Sequence, residues 1–316
     1  MASKITWGLY AADFVFRKKL HIKMKYSKRD MLSVSEASHA IEEKLLSGKP
    51  FMAGRMGFFE QAVLRMYEFG KKDKYETVMN NIYNCAGFFP NDTNLGYRFT
   101  EVMKSAYASC DLLACNYELL ENYFINSCMP KDAKVVESFD INDVCRDETN
   151  WSKALKGKKV LVVTPFTDSV KQQYEKRDKL FLSNPDILPE FELITYKSLM
   201  TVGDLKDDRF SNWFEALKFM ENEILSMDFD VALLGCGAYG FPLAATIKKA
   251  GRQAIHLGGT LQLLFGIMGR RWDGSRFGGI EHMPEYISRY YNENWTYPIE
   301  GKPQEASKVE YGPYWK

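Results

Sequence analysis

The sequence predicts an α/β fold: a largely parallel, doubly wound sheet with helices on both faces. Three observations predict it. Lys159-Val-Leu-Val-Val-Thr164 and Val231-Ala-Leu-Leu234 are apolar without alternation, the pattern of strands buried on both faces. Strand-like runs alternate with helix-like ones along the chain, the order of a parallel sheet with crossover helices. After Leu234 the chain reads Gly235-Cys-Gly-Ala-Tyr-Gly240 and opens a helix with Pro242 near its first turn, where a missing N–H costs nothing.

Taken in order, residues 1–32 read as an extension. Trp7, Tyr10, Phe14, Phe16 and Leu20 mix there with Lys4, Arg17, Lys18, Lys19, Lys23, Lys25, Lys28 and Arg29, against one acid, Asp13. That composition suits an anionic membrane surface; it also suits a helix packed on the body with a solvated basic edge. A domain over 33–296 follows, in halves of about 33–150 and 151–296, and 297–316 is a loop-like tail. Ser33-Val-Ser-Glu36 has capping-box spacing and starts a helix to Ser47. Phe51-Met-Ala-Gly54 reads as a buried strand running into Arg55-Met-Gly57, and the helix over Phe58–Phe69 ends at Gly70. Residues 75–128 read as helices broken at 86–92. In the second half, strands are expected at 159–165, 191–195, 231–234 and 253–259, and helices at 168–182 and 213–227.

At 316 residues, 46% hydrophobic and 26% charged, the chain has the make-up of a globular protein able to bury a core. The net charge of +1 gives no global reason to expect a nucleic-acid partner. Aromatic residues reach 14%, a lean toward carbohydrate, whose sites favour aromatic faces. Cys85, Cys110, Cys115, Cys128, Cys145 and Cys236 show no C-x-x-C or Cys/His metal spacing, as expected of free thiols in a reduced compartment. No apolar run reaches the roughly 18 residues of a membrane span, and no signal-peptide pattern is legible. A cytoplasmic protein is expected, with its N-terminal segment suited to the inner face of the membrane.

Ligands of such sheets sit at the carboxyl ends of strands, and three clusters fall there. Arg55, Gly57 and Glu60 form the first: an arginine for phosphate, a glycine for a tight turn, and a carboxylate suited to a base or metal ligand. Thr164-Pro-Phe-Thr-Asp-Ser169 is the second, its hydroxyls placed to cap a helix or to bind phosphate and sugar. The third joins Gly235, Gly237, Ala238, Tyr239 and Gly240 with His256, Gly258, Gly259, Gln262, Arg270 and Arg271. Glycines allow close backbone approach, and a helix start attracts negative charge. The G-x-G-x-x-G spelling matches the dinucleotide fingerprint. Yet no acid occurs between Gly240 and Asp273 to hold a ribose, so a nicotinamide dehydrogenase loses its main support.

Phe51-Met-Ala-Gly-Arg-Met-Gly-Phe-Phe-Glu60, Asn84-Cys-Ala-Gly-Phe-Phe-Pro90, Gly235–Ala244, His256–Trp272 and the closing Val309–Trp315 resemble bacterial glycosyltransferases of the GT-D fold type. The likeness runs from about residue 33, and Gly235–Trp272 is its most specific part. It implies a Rossmann-like hexosyltransferase moving a sugar from a nucleotide sugar, with UDP-sugar the expected donor. The acceptor would be a glycan or lipid-linked glycoconjugate in surface polysaccharide biosynthesis. It also implies that Arg55 and the glycine turn hold the diphosphate, and that Glu60 acts as base or as ligand to Mn²⁺ or Mg²⁺. Thr164, Ser169 and His256 would orient sugar or acceptor. The family pattern after the first strand is Arg-x-Gly-Asp-x-Glu; Arg55, Gly57 and Glu60 match, and Phe58 stands at the Asp position. That departure puts metal dependence in question and raises a rival, a catalytically inactive nucleotide- or glycan-binding protein.

Overall fold

Unalternating apolar runs need cover on both faces, and helices packed on either side of one sheet supply it. The computed structural model describes residues 4–20, 29, 31–137, 150–205, 207–275, 278–304 and 314–316. Its strands are β1 (Met31–Leu32), β2 (Phe51–Arg55), β3 (Leu112–Cys115), β4 (Lys134–Glu137), β5 (Lys159–Thr164), β6 (Glu192–Lys197), β7 (Val231–Leu234) and β8 (Gln253–His256). They form one sheet in the order β1-β4-β3-β2-β8-β7-β5-β6, and every pairing is parallel. The fold class expected from the sequence is the one observed.

Alternate strand residues serve opposite faces. Leu161, Val163, Ala232 and Leu234 enter one apolar cluster, while Val160, Val162, Val231 and Leu233 enter the other. The helices are α1 (Lys4–Lys19), α2 (Val34–Ser47), α3 (Phe58–Phe69), α4 (Tyr75–Ala86), α5 (Gly96–Tyr107), α6 (Glu121–Cys128), α7 (Thr167–Tyr174), α8 (Trp213–Ser226), α9 (Gly240–Lys249), α10 (Leu261–Leu264) and α11 (Glu285–Ser288). Residues of α3, α4, α5, α8 and α9 complete the first cluster; those of α2, α7 and α10 complete the second. Each fully buried aliphatic side chain contributes roughly 1.5–3 kcal/mol.

Local chemistry fixes several boundaries. Ser33 and Glu36 make the reciprocal capping box of α2, and the Asn212 side chain accepts from the N–H groups of Phe214 and Glu215 at the start of α8. Five elements depart from expectation: β4 falls where no strand was read, β8 stops at His256 rather than at 259 because the chain turns over Gly258–Thr260, and three more differ. β3 lies within 75–128, read as wholly helical, because its four residues, all buried, pair between β2 and β4. β1, in the stretch read as extension, pairs with β4. α7 stops at Tyr174, short of Leu182: the Leu180 carbonyl accepts from Asn292 and Trp295 side chains, not from a helical N–H.

The strands of the two halves meet at β2 and β8, with Gly54 opposite His256. After β5 the chain moves outward to β6; after β7 it moves inward to β8. Connections diverging from neighbouring strands leave a crevice at their carboxyl ends.

Candidate active site

The crevice is a cleft of about 1080 Å³, open solvent at its mouth included. Its walls come from the segments after five neighbouring strands, β2, β8, β7, β5 and β6, with the end of α4 and the C-terminal Tyr314 and Trp315. Among the described residues lining it, Arg55 is the one cation and Glu60 the one acid.

Both charges belong to the turn after β2. Gly57 is the N-cap of α3, with Glu60 in the first helical turn. Glu60 is buried at 6% exposure, and its carboxylate folds back over the cap: a Cβ on Gly57 would stand 2.1 Å from Oε2. Any side chain at 57 would push the carboxylate away. Helix dipole and cap geometry both favour a carboxylate there. The turn is anchored from β3, since Asn116 and Gln61 side chains both donate to the Met56 carbonyl. Gln61 also donates to buried Glu121 at 3.0 Å, and Glu121 accepts from the Asn116 N–H at 2.9 Å.

Arg55 reaches across to the turn after β8. A Cβ on Gly258, where φ is +61°, would sit 3.3 Å from Arg55 Nε. His256 Nδ1 donates to the Arg55 carbonyl at 2.8 Å, tying the ends of β2 and β8 together. A carbonyl only accepts, so the Nδ1–H tautomer is fixed and Nε2 carries the lone pair. The ring lies over the start of α9, where a Cβ on Gly240 would meet Nε2 and Cδ2 at 2.3 Å. Nε2 has no hydrogen-bond partner there. Burial, with the Arg55 charge, holds the imidazole pKa down to about 4 despite the bond to the Arg55 carbonyl, so it is neutral at pH 7.

The glycines of the fingerprint each meet another part of the protein. A Cβ on Gly235 would stand 2.7 Å from the Gly258 carbonyl, and one on Gly237, at φ +58°, 2.8 Å from the Ala86 carbonyl. Gly235, Gly237, Tyr239, Gly258, Gly259 and Gln262 line the cleft; Ala238 and Gly240 lie behind it. Tyr239 stacks on Trp213 at 5.3 Å and shares a 2.7 Å hydrogen bond with Thr201. Gln262 donates to the Tyr314 carbonyl, leaving Oε1 buried and unpartnered.

Thr164 lines the cleft, its hydroxyl accepting from the Phe166 N–H at 3.3 Å. Ser169 is set back at the start of α7, where the Glu300 carboxylate accepts from the N–H groups of Asp168 and Ser169 (2.9 and 3.0 Å) and from the Ser169 hydroxyl. The tail thus supplies the anion that this helix start attracts. The Trp315 indole donates to the Glu300 carbonyl at 3.2 Å and packs edge-on against Phe166 at 5.2 Å. The Tyr314 ring fills the space a Gly259 side chain would take.

The sequence reading missed the segment Ser198–Val202 after β6, which closes one side; Ser198 Oγ is buried there without a partner. Its one sequence signal is position, directly after a strand. Phe58, first residue of α3, lines the cleft and is 38% exposed. Among the described residues no group of three His, Cys, Asp or Glu side chains is placed to hold a metal ion. Glu60 alone makes no protein cage for Mn²⁺ or Mg²⁺. Cys145 and residues 309–313 of the closing motif lie outside the described residues.

No protein-family model and no curated protein matches the chain. Two solved structures are similar. One is a selenomethionine-substituted structure of domain of unknown function 1792, 14% identical, with a TM-score of 0.43 over 94% of this chain and 97% of that one. The other is described as showing that this highly conserved domain has a distinct glycosyltransferase fold; it is 14% identical, with a TM-score of 0.42 over the same shares. A likeness that loose assigns neither an activity nor a residue's role.

Proposed function

We propose that the protein is a glycosyltransferase taking its donor, a UDP-sugar, in the cleft and passing the sugar to a glycan or lipid-linked acceptor. One observation carries the reading: at the carboxyl ends of five parallel strands, the described lining of the cleft sets one arginine and one buried carboxylate at the same turn. A diphosphate leaving group gathers negative charge as the sugar departs, and Arg55 is the lining cation able to meet it. Glu60 accepts the proton of the attacking hydroxyl. Neutral His256 fixes the carbonyl of Arg55 and so positions that residue. The turns at 235–240 and 258–259 close around the diphosphate, and the wall of Phe166, Tyr314 and Trp315 faces sugar or base. Among the described residues the lining offers one carboxylate, and no step is assigned to a metal. The resemblance of 51–60 and 235–272 to GT-D enzymes supports the same reading.

Thermal shift with UDP, GDP, CMP and NAD, each with Mn²⁺ and with EDTA, tests the ligand class. UDP stabilisation together with release of UDP from a UDP-hexose supports the proposal. Stabilisation by NAD alone overturns it. Phe58, exposed in the cleft where the family pattern has an acid, favours a second reading, an inactive nucleotide-binding protein. UDP binding without turnover, with Phe58→Asp then gaining metal-dependent turnover, would select that one.

A further inference from the structure

One side of α1 is covered and the other is bare. Tyr10 packs edge-on against Tyr123 at 5.7 Å, and its hydroxyl accepts from Asn126 of α6 at 3.4 Å. Tyr10, Phe14 and Arg17, at spacings of four and three, are half-buried; Arg17 pairs with Asp13 at 2.9 Å. Leu9, Ala12, Phe16 and Leu20 follow the opposite side at i, i+3, i+7 and i+11, an arc of roughly 80° on a 3.6-residue period. Leu9, Phe16 and Leu20 are 68%, 59% and 53% exposed, and Val15 beside them 56%. Exposed Lys19 borders the stripe, and exposed Lys18 lies further round beyond that border, its ammonium over the Phe14 ring at 5.6 Å.

A contiguous apolar stripe rimmed by charge marks an interaction surface. Charge selects what covers it. The first 29 residues hold eight Lys or Arg and one Asp, a net +7 in a chain of net +1, which leaves −6 for the rest. Arg29 is turned inward, donating to the carbonyls of Pro130 and Ala133 at 2.6 and 2.7 Å. A second copy of this helix would bring lysines against lysines, which disfavours pairing. An anionic lipid surface meets both features, taking apolar side chains below the headgroups and lysines among the phosphates. We propose that α1 docks the protein on an anionic membrane surface through Leu9, Phe16 and Leu20, with Lys18 and Lys19 at headgroup level. This docking does not depend on what the cleft binds.

Co-sedimentation of the full chain with vesicles tests it. The protein should bind phosphatidylcholine mixed with phosphatidylglycerol and stay in solution with phosphatidylcholine alone. Phe16→Asp with Leu20→Asp should weaken binding at least about tenfold, at an unchanged melting temperature, because both side chains already face solvent. Lys18→Glu with Lys19→Glu should weaken it too, giving a second reading if the first variant folds poorly. Wild-type protein that ignores the mixed vesicles, or binds both kinds equally, overturns the proposal. So does a dimer in solution that Phe16→Asp dissociates while vesicles capture nothing.

Discussion

Burial strips a charged imidazole of its hydration, which is why His256 stays neutral well below the ordinary histidine pKa. Unfolded, the same side chain takes up a proton near pH 6.5. Between about pH 6.5 and 4 the unfolded chain therefore binds one more proton than the folded one, and stability falls as pH falls. The loss attributable to this residue is roughly 3 kcal/mol. Chemical denaturation of His256→Gln across that window should show a flatter pH dependence than wild type; an equal slope would clear His256 of the effect. Gly240 packs closely against the same ring. Gly240→Ala brings a methyl to 2.3 Å of the imidazole and should cost about 1–3 kcal/mol, part of it recovered in Gly240→Ala/His256→Ala, as a double-mutant cycle would show. Glu60→Gln keeps the shape of the cap and removes the base. Under the proposed chemistry it should lower turnover by roughly 10²–10⁴ with UDP affinity little changed, read from steady-state kinetics and calorimetry.

Element ends explain what the sequence made legible and what it hid. α2, α3, β7 and α9 were readable because a capping box, a flanking glycine or an unbroken apolar run stands at each boundary. β3 carries no such punctuation: four apolar residues between helices read like a helix segment, and pairing with β2 and β4 decides the matter. The same holds for the site. Arg55, Glu60 and the glycines were legible through residue type and place, whereas the wall at Ser198–Val202 needed the fold to bring β6 beside β5. Gly235, Gly237 and Gly240 were read as ligand-facing; Gly235 and Gly237 line the cleft, Gly240 lies behind it, and all three answer to a close approach within the protein, which spacing cannot distinguish. The start of α7 was read from its hydroxyls, but its anion comes from Glu300, far along the chain. Glu300→Ala leaves two N–H groups uncapped and should lower stability by about 1 kcal/mol. The Trp315 indole donates to the backbone carbonyl of the same residue, which alanine keeps but no longer anchors on the helix start, so indole fluorescence should shift as well; unchanged melting and emission would show the cap to be dispensable.

One sheet runs through the whole molecule, and its two halves share the β2–β8 pairing. Each face is one apolar cluster drawing on both halves: Met52 and Val163 lie in the first, Phe51 and Val162 in the second. The cleft is built the same way, with Arg55 from one half set against Gly258 from the other. A half detached at β2–β8 would expose a sheet edge and two apolar surfaces at once, so neither has a stable way to melt alone. The chain should therefore unfold in one calorimetric transition, with van't Hoff and calorimetric enthalpies in agreement. A ligand bound across the halves stabilises only the joined state, so saturating nucleotide should move that single transition upward as a unit. Two transitions, of which nucleotide moved only one, would mean that the halves fold apart and that the cleft belongs to one of them.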